Sequence, residues 1–261
     1  CYEQETTLSL RFSGVIERAY KKTGKQVVIL VDEYDKPLLQ AIGNNELQAD
    51  YRGLLKSVYG ALKSQDRYIR FALLTGVTKF GKVSVFSDLN NLQDLSMDEE
   101  YQALCGVTQD ELETIFAEPI KQLATKYKLS VEEALCRLKE RYDGYHFVEN
   151  GIGIYNPFSL LNTFKRLQFG SYWFETGTPT YLVELLKQDN YRLPNLTKEV
   201  STADVLNCID TASNNPIPVL YQSGYLTIKS FDEEFGEYRL GFPNKEVEEG
   251  FTRFLLPYYT G

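Results

Sequence analysis

Two short apolar runs, separated by an amphipathic stretch, constrain the fold of this chain more than any other feature. Residues 26–31 read QVVILV and residues 69–74 read IRFALL, and neither run alternates strictly between apolar and polar residues. Such a run is typical of a strand that is covered on both faces of a parallel sheet. Between them, residues 49–65 carry apolar side chains at helical spacing. The order strand, helix, strand predicts a βαβ unit, and therefore an α/β fold.

The section that follows residue 106 is predicted to be helical. Three helix starts are indicated by capping signals: Thr108 with Glu111, Ser130 with Glu133, and Asn156 followed by Pro157. The run TPTYLVELLKQ, residues 178–188, predicts a fourth helix. This section would form a helical lid.

The last part of the chain changes again. A helix is predicted around 199–211, two strand-like runs follow at 225–231 and 237–243, and a closing helix starts at Asn244. Helices followed by a hairpin resemble a winged-helix unit. The predicted domains are therefore an α/β core at 1–106, the helical lid at 107–190 and a winged-helix-like α+β module at 191–261.

Acidic residues stand directly after the first apolar run. Asp32 and Glu33 follow Val31 without a break. Side chains at the carboxyl end of a parallel strand face the crevice in which ligands bind. There Asp32 could hold a hydrated Mg²⁺, and Glu33 could orient the water that attacks a γ-phosphate. The alternative is structural: both acids cap neighbouring backbone groups and solvate the strand end.

Phosphoryl chemistry of this kind needs a glycine-rich phosphate loop, Gly-x₄-Gly-Lys-Ser/Thr. Residues 76–84, GVTKFGKVS, come near that pattern. We reject the match because Val83 stands where a hydroxyl should bind Mg²⁺. The stretch also follows the acidic strand, whereas a phosphate loop usually precedes it. The sequence therefore contains no ordinary triphosphate cradle.

Charge and cysteine content exclude several classes of function. The chain has 28 basic and 36 acidic side chains, a net charge of −8, which repels nucleic acid on average. Its four cysteines lie far apart and it has one histidine, so neither a structural zinc site nor a disulfide framework is expected. We expect a cytoplasmic protein with reduced thiols and no membrane segment. Because the chain begins at Cys1 and its one methionine is Met97, we expect a longer parent protein.

Several segments together resemble a known family. In order, they are VVILVDEYDKPL, FALLTGVTKFGKVSVFSDLNNLQDLSM, YDGYHF, YNPFSLLN and YWFETGTPTYL. They are similar to the AAA-ATPase-like proteins of anaerobic bacteria such as Bacteroidales, over roughly residues 5–260. In that family the region follows an amino-terminal phosphate-loop segment, which is not present here, and often precedes a PD-(D/E)XK nuclease-like domain.

The resemblance implies a partial P-loop NTPase-like parallel sheet and a role for each residue of the site. Asp32 would bind Mg²⁺, Glu33 would activate water, and Thr75, or alternatively Thr78, would be the polar sensor of the γ-phosphate. ATP and Mg²⁺ are the implied cofactors of the intact protein. Without the phosphate loop, this chain alone is expected to be nearly inactive and to hold no cofactor tightly.

Two rival functions stay open. In the first, the acids are structural and the chain is a degenerate, non-hydrolysing interaction or regulatory module. In the second, the chain is an accessory to nucleic-acid processing, which the net charge disfavours. Self-association and an arginine finger on the helix at 131–142 are also open. His146 and Trp173 are interpreted as packing residues, the first in an aromatic turn and the second at a junction between helices.

Overall fold

The computed structural model describes residues 6–41, 44–79, 85–86, 89–175, 200–206 and 215–259. Its contacts divide the chain into two compact units. The sheet unit comprises Cys1–Gln93 with Asn207–Ser213, and the helical unit comprises Asp94–Leu206 with Asn214–Gly261. The three-domain division expected from sequence stays a prediction.

Three α-helices and two strands, with a 3₁₀ helix at Asp66–Tyr68, make up the described part of the sheet unit. In chain order they are α1 (Leu8–Thr23), β1 (Val27–Val31), α2 (Lys36–Gln40), α3 (Asn45–Ser64) and β2 (Ile69–Leu74). The Thr7 side chain caps the start of α1, and Gly24, in the left-handed conformation, ends it. The Asn44 side chain caps the start of α3 by accepting from the Leu47 N–H.

The two strands pair in parallel, and α3 lies between them in sequence. Ile29 pairs with Ala72, and Val31 pairs with Leu74. The prediction of an α/β fold with a parallel sheet is confirmed at this level. The sheet has two strands among the residues that the structure describes, and the wider P-loop NTPase arrangement stays a prediction.

For the part of the chain that the structure describes, the expectation that these strands are covered on both faces is wrong. The face that carries Ile29 packs against Ile16 of α1, Leu38 of α2, and Tyr59 and Leu62 of α3. On the opposite face, Val28, Leu30 and Phe71 are 55%, 70% and 53% exposed. All three described α-helices of the unit therefore contribute to one core on one side of the sheet. An apolar run shows that a strand can be buried on both faces, and it does not show what covers each face.

Substitution of Leu30 by Lys tests this exposed face. We expect the free energy of unfolding to change by less than about 0.5 kcal/mol, because a surface side chain contributes little. Urea denaturation of the 261-residue chain measures it. Leu8→Lys is the matched control, since Leu8 is an exposed leucine on α1. A loss of about 2 kcal/mol or more at Leu30 alone would show that this sheet face is covered in solution.

In the helical unit, a 3₁₀ helix at Glu99–Tyr101 precedes the α-helices. The other elements of the unit are α4 (Gln109–Ile115), α5 (Ala117–Tyr127), α6 (Val131–Tyr142), α7 (Pro157–Arg166), α8 (Tyr172–Glu175), β3 (Val200–Thr202), α9 (Ala203–Leu206), α10 (Ile217–Gln222), β4 (Thr227–Asp232), β5 (Glu237–Gly241) and α11 (Lys245–Tyr259). Both capping boxes form, and Asn156 caps α7 with Pro157 at its first position. These three helix starts are confirmed. The helix predicted at 178–188 lies outside the described residues.

The predicted hairpin is present and gains a strand that the sequence did not predict. β4 and β5 pair antiparallel, and β3 adds to the free edge of β5. The helix expected around 199–211 is therefore wrong at Val200–Thr202, which is a strand; Ala203–Leu206 is helical, and the rest lies outside the described residues. The closing helix is confirmed, with the Asn244 side chain accepting from the Val247 N–H. The winged-helix arrangement stays a prediction.

A buried carboxylate joins three elements of the helical unit. Glu246, near the start of α11, is fully buried and accepts from the Ser159 hydroxyl of α7 at 2.9 Å and from the Trp173 N–H of α8 at 3.1 Å. Burial raises the pKa of this carboxyl group. Glu246 therefore links α7, α8 and α11 through hydrogen bonds.

Candidate functional site

The hydrogen-bond pattern of the parallel sheet continues one step beyond its strands. The Thr75 N–H donates to the Val31 carbonyl at 2.8 Å, and the Tyr34 N–H donates to the Thr75 carbonyl at 2.9 Å. The first residue after each strand, Asp32 after β1 and Thr75 after β2, is therefore held beside the other. Both lie at the carboxyl edge of the sheet, where parallel α/β folds usually bind ligands.

Asp32 and Thr75 are in direct contact although they lie 43 positions apart in the chain. The Thr75 hydroxyl donates to Oδ1 of Asp32 at 2.5 Å, and the Glu33 N–H donates to the same oxygen at 3.0 Å. Both side chains belong to exposed residues. Within the described ranges, no group donates to Oδ2 of Asp32. The structure thus brings together two of the predicted site residues, and Oδ2 of the exposed Asp32 accepts no hydrogen bond from the described residues.

Glu33 has a backbone conformation that is unusual for its residue type. Its φ is +53°, in the left-handed region, which is costly for residues other than glycine. Its carboxylate forms an ion pair with Lys36 at 2.6 Å, and both side chains are more than half exposed. This hydrogen bond and charge attraction raise the pKa of Lys36. An exposed ion pair of this kind is weak, so a ligand can compete with Lys36 for the Glu33 carboxylate.

Asp35 is the residue of this turn whose role the sequence did not reveal. It is fully buried, and its Oδ1 accepts from the Val77 N–H at 3.2 Å. Its Oδ2 accepts from both the N–H and the hydroxyl of Thr78, each at 2.6 Å. The sequence DEYD at residues 32–35 shows three acids close together, but the pattern alone does not indicate which of their carboxylates is buried.

Thr78 lies apart from the outward-facing groups. It is buried, and its hydroxyl is committed to Asp35. Of the two candidate sensor residues, Thr75 is therefore the one placed beside Asp32. A ligand role for Thr78 stays a prediction, and its contacts are those of an anchor for the turn at 76–78.

The same contacts bear on the rejected phosphate-loop match at 76–84. A phosphate loop holds phosphates with its backbone N–H groups. Here the N–H groups of Val77 and Thr78 donate to the Asp35 carboxylate instead. Residues 80–84 lie outside the described structure. The described part of this stretch therefore supports the rejection.

The two other residues weighed from sequence lie in the helical unit. The His146 N–H donates to the Thr227 hydroxyl at 2.7 Å, and burial lowers the pKa of the His146 imidazole. Trp173 packs against Tyr225, with ring centroids 4.9 Å apart. These contacts agree with packing roles. Among the described residues, no group of three or more histidines, cysteines or acids is placed so that it could hold a metal ion.

Comparisons with known proteins agree with the resemblance noted in the sequence. Residues 2–86 match the sequence model of the AAA-ATPase-like family, described as "Predicted AAA-ATPase". That range contains the whole Asp32–Thr78 region. The coarse similarity to AAA-ATPase-like proteins is therefore supported for the sheet unit.

A curated relative covers most of the chain. It is the "Uncharacterized protein in vnfD 5'region" of Azotobacter chroococcum mcd 1, which is 38% identical over 251 residues. The alignment covers 95% of this chain and 46% of the relative, so the chain spans about half the length of that protein. No solved structure matches the chain. Across the described residues, helices of the length and apolar character needed to cross a membrane are absent.

Proposed function

We propose that this chain is part of a P-loop-type ATPase and supplies the metal-binding and water-activating edge of its nucleotide site. In the intact protein, Mg²⁺ and ATP bind at the carboxyl ends of β1 and β2, and hydrolysis drives a conformational change. Residues 107–190 act as a helical lid and residues 191–261 as a winged-helix-like module. The nuclease-like domain implied by the resemblance belongs to this proposal for the longer protein.

One observation carries the proposal. The Thr75 hydroxyl lies 2.5 Å from Oδ1 of Asp32, on adjacent parallel strands and at an exposed edge. A carboxylate and a hydroxyl at neighbouring strand ends are the groups that a phosphate-bound divalent cation and a γ-phosphate require. The family match over residues 2–86 supports an ATPase-like function for this part of the chain.

The residues present fit a magnesium ion. Mg²⁺ prefers oxygen ligands and is usually held by one or two carboxylates, with water and phosphate completing its coordination. Asp32 offers such an oxygen in Oδ2, while its Oδ1 is oriented by Thr75 and by the Glu33 N–H. When bound, the metal neutralises charge on the phosphates. The set does not fit a structural zinc site, which requires histidine or cysteine ligands.

Each residue then has a distinct task. Asp32 holds the cation, and Thr75 fixes the Asp32 carboxylate with its one hydroxyl proton. That proton is free for a phosphate oxygen only when the bond to Asp32 is exchanged for it. The exposed carboxylate of Glu33 can accept a proton from water and orient it. The triphosphate cradle is assigned to a segment of the longer protein, because the amides at 77–78 already serve Asp35.

Asp32→Asn tests the metal site directly. We expect the affinity of the full-length protein for Mn²⁺ to fall at least about tenfold, which corresponds to a loss of about 1.4 kcal/mol in binding free energy. Electron paramagnetic resonance in the presence of ATP measures this affinity. The amide removes the negative charge that the cation needs and keeps the shape of the side chain. Asp50→Asn is the control, because Asp50 is an exposed aspartate of α3.

The control separates local binding from general charge. Equal losses in both variants would show that Mn²⁺ is attracted by overall negative charge and would remove Asp32 from the proposal. Absence of Mg²⁺-dependent nucleotide binding in the full-length protein would favour the non-hydrolysing interaction module instead. A DNA titration over a range of salt concentrations distinguishes the nucleic-acid accessory from both.

A further inference from the structure

The strongest unexplained feature of the sheet unit is the Asp35 carboxylate. It is fully buried, yet it lies in the acidic turn whose other two members, Asp32 and Glu33, are exposed. A carboxylate that leaves water needs donors to replace its hydration. Asp35 receives three hydrogen bonds, all of them from the turn that follows β2.

This arrangement is not an ordinary helix cap. Asp35 occupies the N-cap position of α2, where an aspartate usually accepts from the backbone of its own helix. Its side chain makes no such bond. The carboxylate turns away from α2 and bonds to residues 42 and 43 positions later in the chain. Its contacts thus serve the neighbouring strand end rather than the helix that it precedes.

One further hydrogen bond holds the same turn, and a glycine gives room for the close packing around it. The Tyr34 hydroxyl donates to the Thr78 carbonyl at 3.0 Å. Gly76 allows the close approach, because a Cβ there would lie 2.5 Å from Oδ1 of Asp35 and 2.7 Å from Cε1 of Tyr34. Tyr34 and Asp35 therefore hold the end of the segment from Thr75 to Thr78 that contains Val77 and Thr78.

Thr75 is the first residue of that segment. Its N–H and carbonyl are fixed by Val31 and Tyr34, and its hydroxyl donates to Asp32. We propose that Asp35 is a positioning residue, whose grip on Val77 and Thr78 sets the Thr75 hydroxyl against Asp32. This rests on the proposed function, in which Asp32 and Thr75 form the metal and phosphate edge. Hydrogen bonds to a charged acceptor are strong enough for such a role.

Methyl-labelled threonine tests the coupling without any ligand. NMR spectra would be compared for the 261-residue chain and its variants Asp35→Asn, Thr78→Val and Thr78→Ser. We expect the Thr75 methyl resonance to move in Asp35→Asn and in Thr78→Val, and to stay in place in Thr78→Ser, which keeps the hydroxyl. The methyl groups of Thr7 and Thr23, at the two ends of α1, serve as references.

The two variants Asp35→Asn and Thr78→Val test the same contact independently. Thr78→Val removes one of the three bonds, so it decides the question if Asp35→Asn does not fold. An unchanged Thr75 resonance in a folded Asp35→Asn or Thr78→Val protein would overturn the proposal. Equal displacement of the Thr7, Thr23 and Thr75 signals would also overturn it, since that result indicates general destabilisation.

Mn²⁺ affinity provides the functional readout. Loss of a group that orients a metal ligand usually lowers metal affinity about 10- to 100-fold. We expect a loss of about tenfold in Asp35→Asn, a smaller loss in Thr78→Val, and recovery in Thr78→Ser. A moved Thr75 resonance with unchanged affinity would leave Asp35 a structural clamp only. These affinities are measured on the full-length protein with ATP; if its wild type binds no Mn²⁺, the proposed function fails, and the methyl spectra alone decide whether Asp35 controls Thr75.

Discussion

Replacement of Glu33 by Gln is expected to lower Mg²⁺-dependent ATP hydrolysis by the full-length protein about 10²- to 10⁴-fold, the usual range for loss of a general base. Glutamine keeps the size of the side chain but cannot accept a proton. Nucleotide binding should change little, because Asp32 and Thr75 are untouched. Steady-state turnover and a nucleotide titration on the same preparation measure the two effects separately.

Lys36→Gln is the matched control for this variant. It removes the ion pair with Glu33, in which both side chains are more than half exposed. An exposed pair contributes about 1 kcal/mol at most, so turnover should stay within about fivefold of wild type. Turnover equal to wild type in Glu33→Gln would remove Glu33 from the mechanism.

The backbone of Glu33 adds a second readout. A side chain in the left-handed region carries strain of about 1 kcal/mol or more, and such strain tends to persist where function requires it. Glu33→Gly should therefore keep the fold and raise the free energy of unfolding by up to about 1 kcal/mol, while it lowers turnover as Glu33→Gln does. A Glu33→Gly protein that is both less stable and fully active would contradict both roles of the residue.

A methyl group at position 76 is expected to have the largest effect on stability at the site. Gly76→Ala should lower the free energy of unfolding by about 1–3 kcal/mol, the usual cost of overpacking. The added Cβ would lie 2.5 Å from Oδ1 of Asp35 and within 3 Å of the Tyr34 ring, so at least one of them must move. Chemical denaturation of the 261-residue chain measures the change.

Gly53→Ala is the control, and it should have the opposite sign. Gly53 lies inside α3, and no atom approaches within 4 Å of the Cβ that alanine would add. Alanine in a helix interior is favoured over glycine by up to about 1 kcal/mol. Equal stability of Gly76→Ala and wild type would show that the turn at 76–78 yields easily, which is incompatible with a tight grip by Asp35.

Local signals in the sequence predicted the elements well. The strand at 69–74, the two capping boxes and the Asn156–Pro157 helix start agree with the structure, because each depends on neighbouring residues alone. β3 was missed because three residues carry too little periodicity to be separated from a helix. The prediction that β1 is covered on both faces was wrong for the described residues. Coverage depends on which elements pack against each face, and an apolar run does not encode that.

The candidate site was predicted in part for the same reason. A strand that ends in two acids indicates a ligand edge, and this rule found Asp32 and Glu33. The contact between Asp32 and Thr75 follows from the parallel pairing of two strands. The family resemblance implied a role for each residue and did not predict their contact. Asp35 could not be assigned, since its partners lie more than 40 residues away and its burial depends on the turn at 76–78.

The bare face of the sheet has a consequence for how the two strands stay aligned. Each strand has apolar side chains on both faces, so sliding β1 along β2 by one residue would still place apolar groups against the helices. Alternating polarity, which usually prevents such slippage, is missing. The polar contacts beyond the strand ends, Asp32 with Thr75 and Asp35 with Thr78, would all break on sliding. The acidic turn therefore helps to set the alignment of the strands, in addition to the role proposed for it at their ends.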